Sequence, residues 1–335
     1  MMRDNNSRPP NPRLPSSNPF RRIVTGSIIG IIFGAIAVIG QTQAPGATLL
    51  NTGPFILACE QASARIILID VQADWNDDDA IVWQWQASND AHIAPEHHSW
   101  FSNPSDAKYI GGDQRVLTVA SGGGMAVIDT ASGRIVGYGY VGGNPHSATL
   151  LPDGHIVTVS STGDLVQLFE YQEDASPKYQ VIQKLSLTDA HGVVWDDSRG
   201  CVWALGGKQI KRFDYDLEQS SLTLVTTLDL PINEKTLQQP RHGGHDLTWD
   251  LSGEKLALSD TDNLWTFDPK SHAFAPLPPH HLRHVKSISH LSQPPHTIVM
   301  QATTEWWSDT IRSADGTWEK TLPDVKFYKA RWWGL

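Results

Sequence analysis

A strand–turn–strand unit recurs along this chain, and its period decides the fold class. "HSATLLPDGHIVTV" from His146 matches "HGVVWDDSRGCVWAL" from His191 and "HDLTWDLSGEKLALS" from His245. Weaker copies begin at Ser105 ("SDAKYIGGDQRVLTV") and Lys286 ("KSISHLSQPPHTIVM"). Each copy reads as a short apolar strand, a polar turn and a second apolar strand, and most are followed by a third, such as "MAVIDT", "LVQLFEY" or "QIKRFDY". The copies start 41, 45, 54 and 41 residues apart. Periods in the forties with three or four strands per unit belong to β-propeller blades.

The ends of the repeat region supply one more blade. Residues 55–71, "FILACEQASARIILIDV", read as second and third strands without a first. "YKARWWGL" starts at Tyr328, 42 residues after Lys286, and reads as a first strand with nothing after it. Together they predict an all-β, six-bladed β-propeller over residues 54–335, closed by strands from both ends so that no sheet edge is left open.

The first strand of each blade lines the channel, so the aligned positions form a ring: Ser105, His146, His191, His245, Lys286 and Tyr328. Three imidazoles at one position suit a divalent ion, and His146, His191 and His245 are the expected ligands of manganese, zinc, iron or calcium. The competing expectation is that they cap the channel by bonding to loop carbonyls and water. Lys108, Lys329 and Arg331 on neighbouring positions, with Tyr328, would bind an anionic small molecule or oligosaccharide. His242 in "RHGGH" is a candidate for the rim, and Trp306 or Trp307 in "EWWSD" for stacking against a ligand.

Other motifs carry less. "DWNDDD" begins like a calcium loop, but Asp79 stands where the glycine belongs and Trp85 where the bidentate glutamate belongs, so a solvated turn is expected. His97, His98 and "HHLRH" (His280–His284) are expected in loops between blades. The glycines of "SGGGMAV" precede a strand and read as a hairpin turn. Cys59 and Cys201 are the only cysteines, both in apolar runs, which predicts two buried free thiols. A formal charge of −10 without a basic stripe argues against nucleic acid as a partner.

Residues 1–22 hold five prolines and five arginines and predict a disordered cytoplasmic tail. "IVTGSIIGIIFGAIAVIG" (23–40) is free of charge, about 27 Å long as a helix and preceded by those arginines. It reads as a transmembrane signal-anchor followed by a linker over 41–53, with the propeller on the periplasmic or extracellular side. Secretion after cleavage is the alternative.

The pieces "ACEQASARIILID", "DAKYIGG", "NPHSATLLPDG", "AHGVVWD", "HDL", "VKSIS" and "EWW" resemble a family of bacterial six-bladed propellers of unknown function. More distantly the chain is similar to oligogalacturonate lyases, which implies a metal on the three histidines, with Gln61 a further glutamine to consider. It is also similar to arylsulfotransferases, which implies a nucleophile at His146 or His245. Three functions are therefore expected in turn. One is a metal-dependent lyase on an acidic sugar, with Lys286 or His245 removing the proton. The others are a non-catalytic ligand- or glycan-binding propeller and sulfuryl transfer through a histidine.

Overall fold

Each apolar run of the repeat becomes a strand paired with the next run, and the turns between them use the residues that tolerate their geometry. In "LPDGH" the amide of Gly154 donates to Leu151 O at 3.0 Å, with Gly154 at φ +91°. Aspartates that end third strands hold the following turn: Asp129, Asp216 and Asp268 accept from the backbone amides of Ser132 (2.7 Å), Glu218 (2.9 Å) and Lys270 (2.8 Å). Much of the chain's acidity is thus used locally, in turns.

The computed structural model describes residues 54–111, 114–231, 243–292 and 296–334. They form six four-stranded antiparallel sheets, the six expected blades. Blade 1 has its innermost strand at Phe327–Trp332, paired with Phe55–Glu60. The innermost strands of blades 2 to 6 are Pro104–Ile110, Pro145–Leu150, Gly192–Asp196, Asp246–Trp249 and Val285–His290. Closure is antiparallel, with Ile56 opposite Trp332, Leu57 opposite Arg331 and Ala58 opposite Ala330.

Strands buried on both faces explain the continuous apolar runs. Ile56 and Ala58 pack toward blade 6, and Leu57 and Cys59 toward blade 2. The core is accordingly six clusters, one between each pair of neighbouring blades. Cys59 in blade 1 and Cys201 in blade 4 are both buried and free. The tail (1–22), the apolar segment (23–40) and the linker (41–53) fall outside the described residues. Among the described residues no helix is long and apolar enough to cross a membrane.

Candidate functional site: a blind cup above a buried ionic plug

The ring position is a β-bulge. On the innermost strands of blades 2, 3 and 6 the register slips at Ser105, His146 and Lys286. In blades 4 and 5 the His191 and His245 amides donate to Leu205 O and Ser259 O, each at 2.8 Å, although Leu205 and Ser259 already face Gly192 and Asp246. A bulge lets two consecutive residues face the same way. The ring residue and its successor therefore both reach the channel, and alternation resumes after them.

This produces three layers. The ring residues His146, His191, His245, Lys286 and Tyr328 line a cup of about 490 Å³. Ser105 is fully buried, with its hydroxyl on Val119 O and Pro145 O. The next residues on each strand form a plug. Lys329, 1 % exposed, reaches Asp246 Oδ1 (3.1 Å) and the backbone oxygens of His146 (3.2 Å), His191 (3.4 Å) and His245 (3.3 Å). Arg331 donates to Asp106 (2.8 Å) and to both oxygens of Asp246 (2.7 and 3.2 Å). Ser147 donates to Asp106 (2.7 Å) and accepts from Lys108 (3.0 Å). Gly192 has no side chain in this layer because a Cβ would meet Leu247 Cβ at 2.7 Å and Leu247 N at 2.9 Å. Lys108 and Arg331 then line a second, smaller cup at the far end.

The expected anion-binding residues are therefore separated. Tyr328, Lys286 and Trp306 belong to the first cup, Lys329 to the middle of the plug, and Lys108 and Arg331 to its far side, where they line the second cup. His242 lies outside the described residues. Trp306 is half exposed at the cup wall and donates to Gln61 Oε1 (3.0 Å), so Gln61 lines the cup too. Trp307 sits instead under the Lys326 ammonium, 5.0 Å from its ring centre. Of the loop histidines only His284 joins the cup; His280 and His281 bond to Leu264 O and Asn263 Oδ1, and His97 stacks on Trp100.

Sequence reasoning offered His242 and the His280–His284 loop for the rim but missed most of it. Asn103, Asn144, Asp189 and His284 each stand two residues before a ring residue, each with φ between 51° and 60°, and all line the cup. Asn and Asp tolerate that left-handed backbone best among side-chain-bearing residues. The repeated Asn-Pro at 103–104 and 144–145 was the available signal. The plug carboxylates Asp106 and Asp246 were signalled by an aspartate directly after the ring position in two blades.

Burial fixes the electrostatics. It pushes His146 and His245 well below the usual imidazole value and His191 to about 3, helped in each case by neighbouring cations, so all three are neutral. Burial and then Lys329 bring Lys286 down to about 8. Burial alone would raise Asp106 and Asp246, but Arg331 and Lys329 outweigh it and hold both ionised. Tyr328 is pushed up by burial and keeps its proton.

The three imidazoles come together, each with one of its two ring nitrogens engaged. Their rings stack and cross at 4.4 Å and 5.2 Å between centres. His146 Nδ1 meets the Tyr328 hydroxyl (2.9 Å), and His191 Nδ1 donates to Asp189 O (2.8 Å). His245 Nε2 meets the Lys286 ammonium (3.3 Å), while its Nδ1 is buried without a partner. Among the described residues no group of three His, Cys, Asp or Glu is placed to hold a metal ion. This donor set does not fit the expected manganese, zinc, iron or calcium.

Comparison with known proteins gives a fold and a family. A crystal structure of a protein from Lactobacillus plantarum matches with a TM-score of 0.53 at 15 % identity, over 82 % of this chain and 86 % of that one. Hydrazine synthase of Kuenenia stuttgartiensis matches at 14 % identity and TM-score 0.43, over 64 % of this chain and 65 % of that one. Dihydro-heme d1 dehydrogenase NirN matches at 11 % identity and TM-score 0.46, over 86 % of this chain and 57 % of that one. No curated protein matches. The lyase and sulfotransferase similarities expected from sequence are not shown by these likenesses. One family model covers residues 37–334, and on that match the chain belongs to DUF6528, a family of unknown function.

Proposed function

We propose that the histidine-lined cup captures a small polyhydroxylated anion, an acidic sugar or its chemical equivalent. One observation carries the reading: the Lys286 ammonium, 3.3 Å from His245, stands in the cup directly above a plug in which three cations face two carboxylates. Neutral imidazoles, the Tyr328 hydroxyl and the rim amides of Asn103 and Asn144 supply directional bonds for hydroxyl groups, and Trp306 supplies a flat face for a sugar ring. The cup volume of about 490 Å³ lies within the range of roughly 300–1,000 Å³ usual for small-molecule sites.

The test is calorimetric titration of the full-length protein with glucuronate and with glucose. Glucuronate is expected to bind, and glucose at least tenfold more weakly. Lys286→Ala removes a charge-assisted bond of about 1.5–3 kcal/mol and should cost about 10- to 150-fold in glucuronate affinity. Equal affinity for both sugars, or an unchanged Lys286→Ala variant, would refute the reading.

A catalytic second reading has its own observation. An amine held at about 8 and bonded to His245 is placed to act as a base near neutral pH. It would take the C5 proton of a uronate as the C4–O bond breaks, with the Tyr328–His146 pair protonating the leaving oxygen. A 4-linked uronate oligosaccharide supplies the C4 leaving group that free glucuronate lacks, and its unsaturated product is read by ultraviolet absorbance. Sulfuryl transfer would favour His191 over the expected His146 or His245, because its Nδ1 donates to Asp189 O and leaves Nε2 with the lone pair; a sulfated histidine in mass spectra is its readout. All three readings keep the propeller on the extracytoplasmic side, with residues 23–40 as its anchor. Protease accessibility on intact spheroplasts checks that placement.

A further inference from the structure

The far end of the channel carries a second cup, of about 190 Å³, outside everything proposed for the histidine ring. Trp195, Trp249 and Trp332 line it together with Lys108 and Arg331 from the plug. None of its lining residues is an aspartate or glutamate. Trp332 is 3 % exposed and packs in the core between blades 6 and 1, so it closes the cup with a buried side chain. Arg331 spends four of its five N–H groups on Asp106, Asp246 and Ile288 O and keeps one on Nη2. The plug beneath has one positive charge more than it has carboxylates.

From this geometry we propose that the second cup binds a small planar monocarboxylate, an aromatic or conjugated acid. The flat body lies against Trp195 and Trp249, and the carboxylate takes the remaining Nη2 N–H of Arg331 and the excess charge of the plug. Size agrees: a cavity of about 150 Å³ holds benzene, and this one leaves room for a ring with one carboxylate.

Benzoate is the probe, with benzamide as its uncharged counterpart, titrated into the full-length protein. Binding is followed by calorimetry and by the indole N–H resonances. One benzoate per chain is expected, with benzamide binding at least tenfold more weakly and the Trp195 and Trp249 indole resonances shifting on saturation. Thr149→Phe, which fills the cup from a half-buried position on its wall, should weaken benzoate at least tenfold. Lys286→Ala, in the other cup, should leave it unchanged. Trp249→Ala provides a second blocking test by removing a wall, so a misfolded Thr149→Phe would not leave the question open. Equal binding of benzamide overturns the charge argument. Absence of saturable binding, or loss of binding in Lys286→Ala but not in the two cup variants, overturns the site.

Discussion

Asp246 is the most exposed to test of all the buried groups, because four donors depend on it. Its carboxylate, 0 % exposed, accepts from Lys329 Nζ (3.1 Å), Arg331 Nη2 (2.7 Å) and Nη1 (3.2 Å), and the Ile288 amide (2.8 Å). Asp246→Asn keeps the shape and one acceptor oxygen but removes the charge. The plug then holds three cations against Asp106 alone, so its excess rises from one positive charge to two. Removing one partner of a buried pair costs about 3–5 kcal/mol, and the like-charge crowding left behind places this case at the upper end. For a domain of this size that is a fall in Tm of roughly 6–10 °C, at about 2 °C per kcal/mol. Adding Lys329→Met takes one cation away again, and the double variant should regain part of the loss. Denaturant unfolding of the four proteins gives the coupling energy directly. A loss below about 1 kcal/mol for Asp246→Asn, or strict additivity with Lys329→Met, would show that the plug is not a coupled network and would remove the basis of both ligand readings.

The three ring histidines predict acid sensitivity. Their folded pKa values lie below the unfolded value of about 6.5, so the unfolded chain binds more protons there, and stability falls as pH drops from about 6.5 toward 3, by up to roughly 4 kcal/mol per pH unit. Urea midpoints that stay flat between pH 7 and 5 would contradict the neutral ring. Gly192→Ala forces a methyl against Leu247 and should cost at least about 2 kcal/mol by thermal melt, whereas Gly133→Ala, with open space but φ +69°, should cost about 1. Cys59 and Cys201, both buried with thiols pushed up by burial, should react with a thiol reagent only after unfolding; fast labelling of the native protein would place one of them at the surface.

The blades were legible because a period in the forties and two-sided apolar strands survive in a single sequence. Ile56 and Leu57 face different neighbours, so neither can be polar, and that leaves an unbroken run. The ring was legible for the same reason: one alignment position, five of whose residues line one cup. The layering was not. Strict alternation would turn Tyr328 and Lys329 to opposite faces, and only the bulge brings both to the channel. Lys108 and Arg331 were assigned to the histidine cup because they are near in sequence. Three residues along a strand rising about 3.3 Å each are nearly 10 Å away, enough to carry both residues past Lys329 to the second cup.

That layering bears on what three histidines mean here. Aligned imidazoles read from sequence as metal ligands because the reading supplies no charge beneath them. The fold places Lys329 under all three, bonded to their own backbone oxygens, and Lys286 against one ring nitrogen. A dication above those two ammonium groups meets repulsion of about 4 kcal/mol per unit charge pair at 4 Å, even with an effective dielectric constant of 20. An anion in the same place is attracted by the same amount. Burial keeps the imidazoles neutral, the neighbouring cations add to it, and on the proposed reading the field of those cations also selects the ligand's sign. On the proposed reading the histidines then act as uncharged hydrogen-bonding groups around a negative guest.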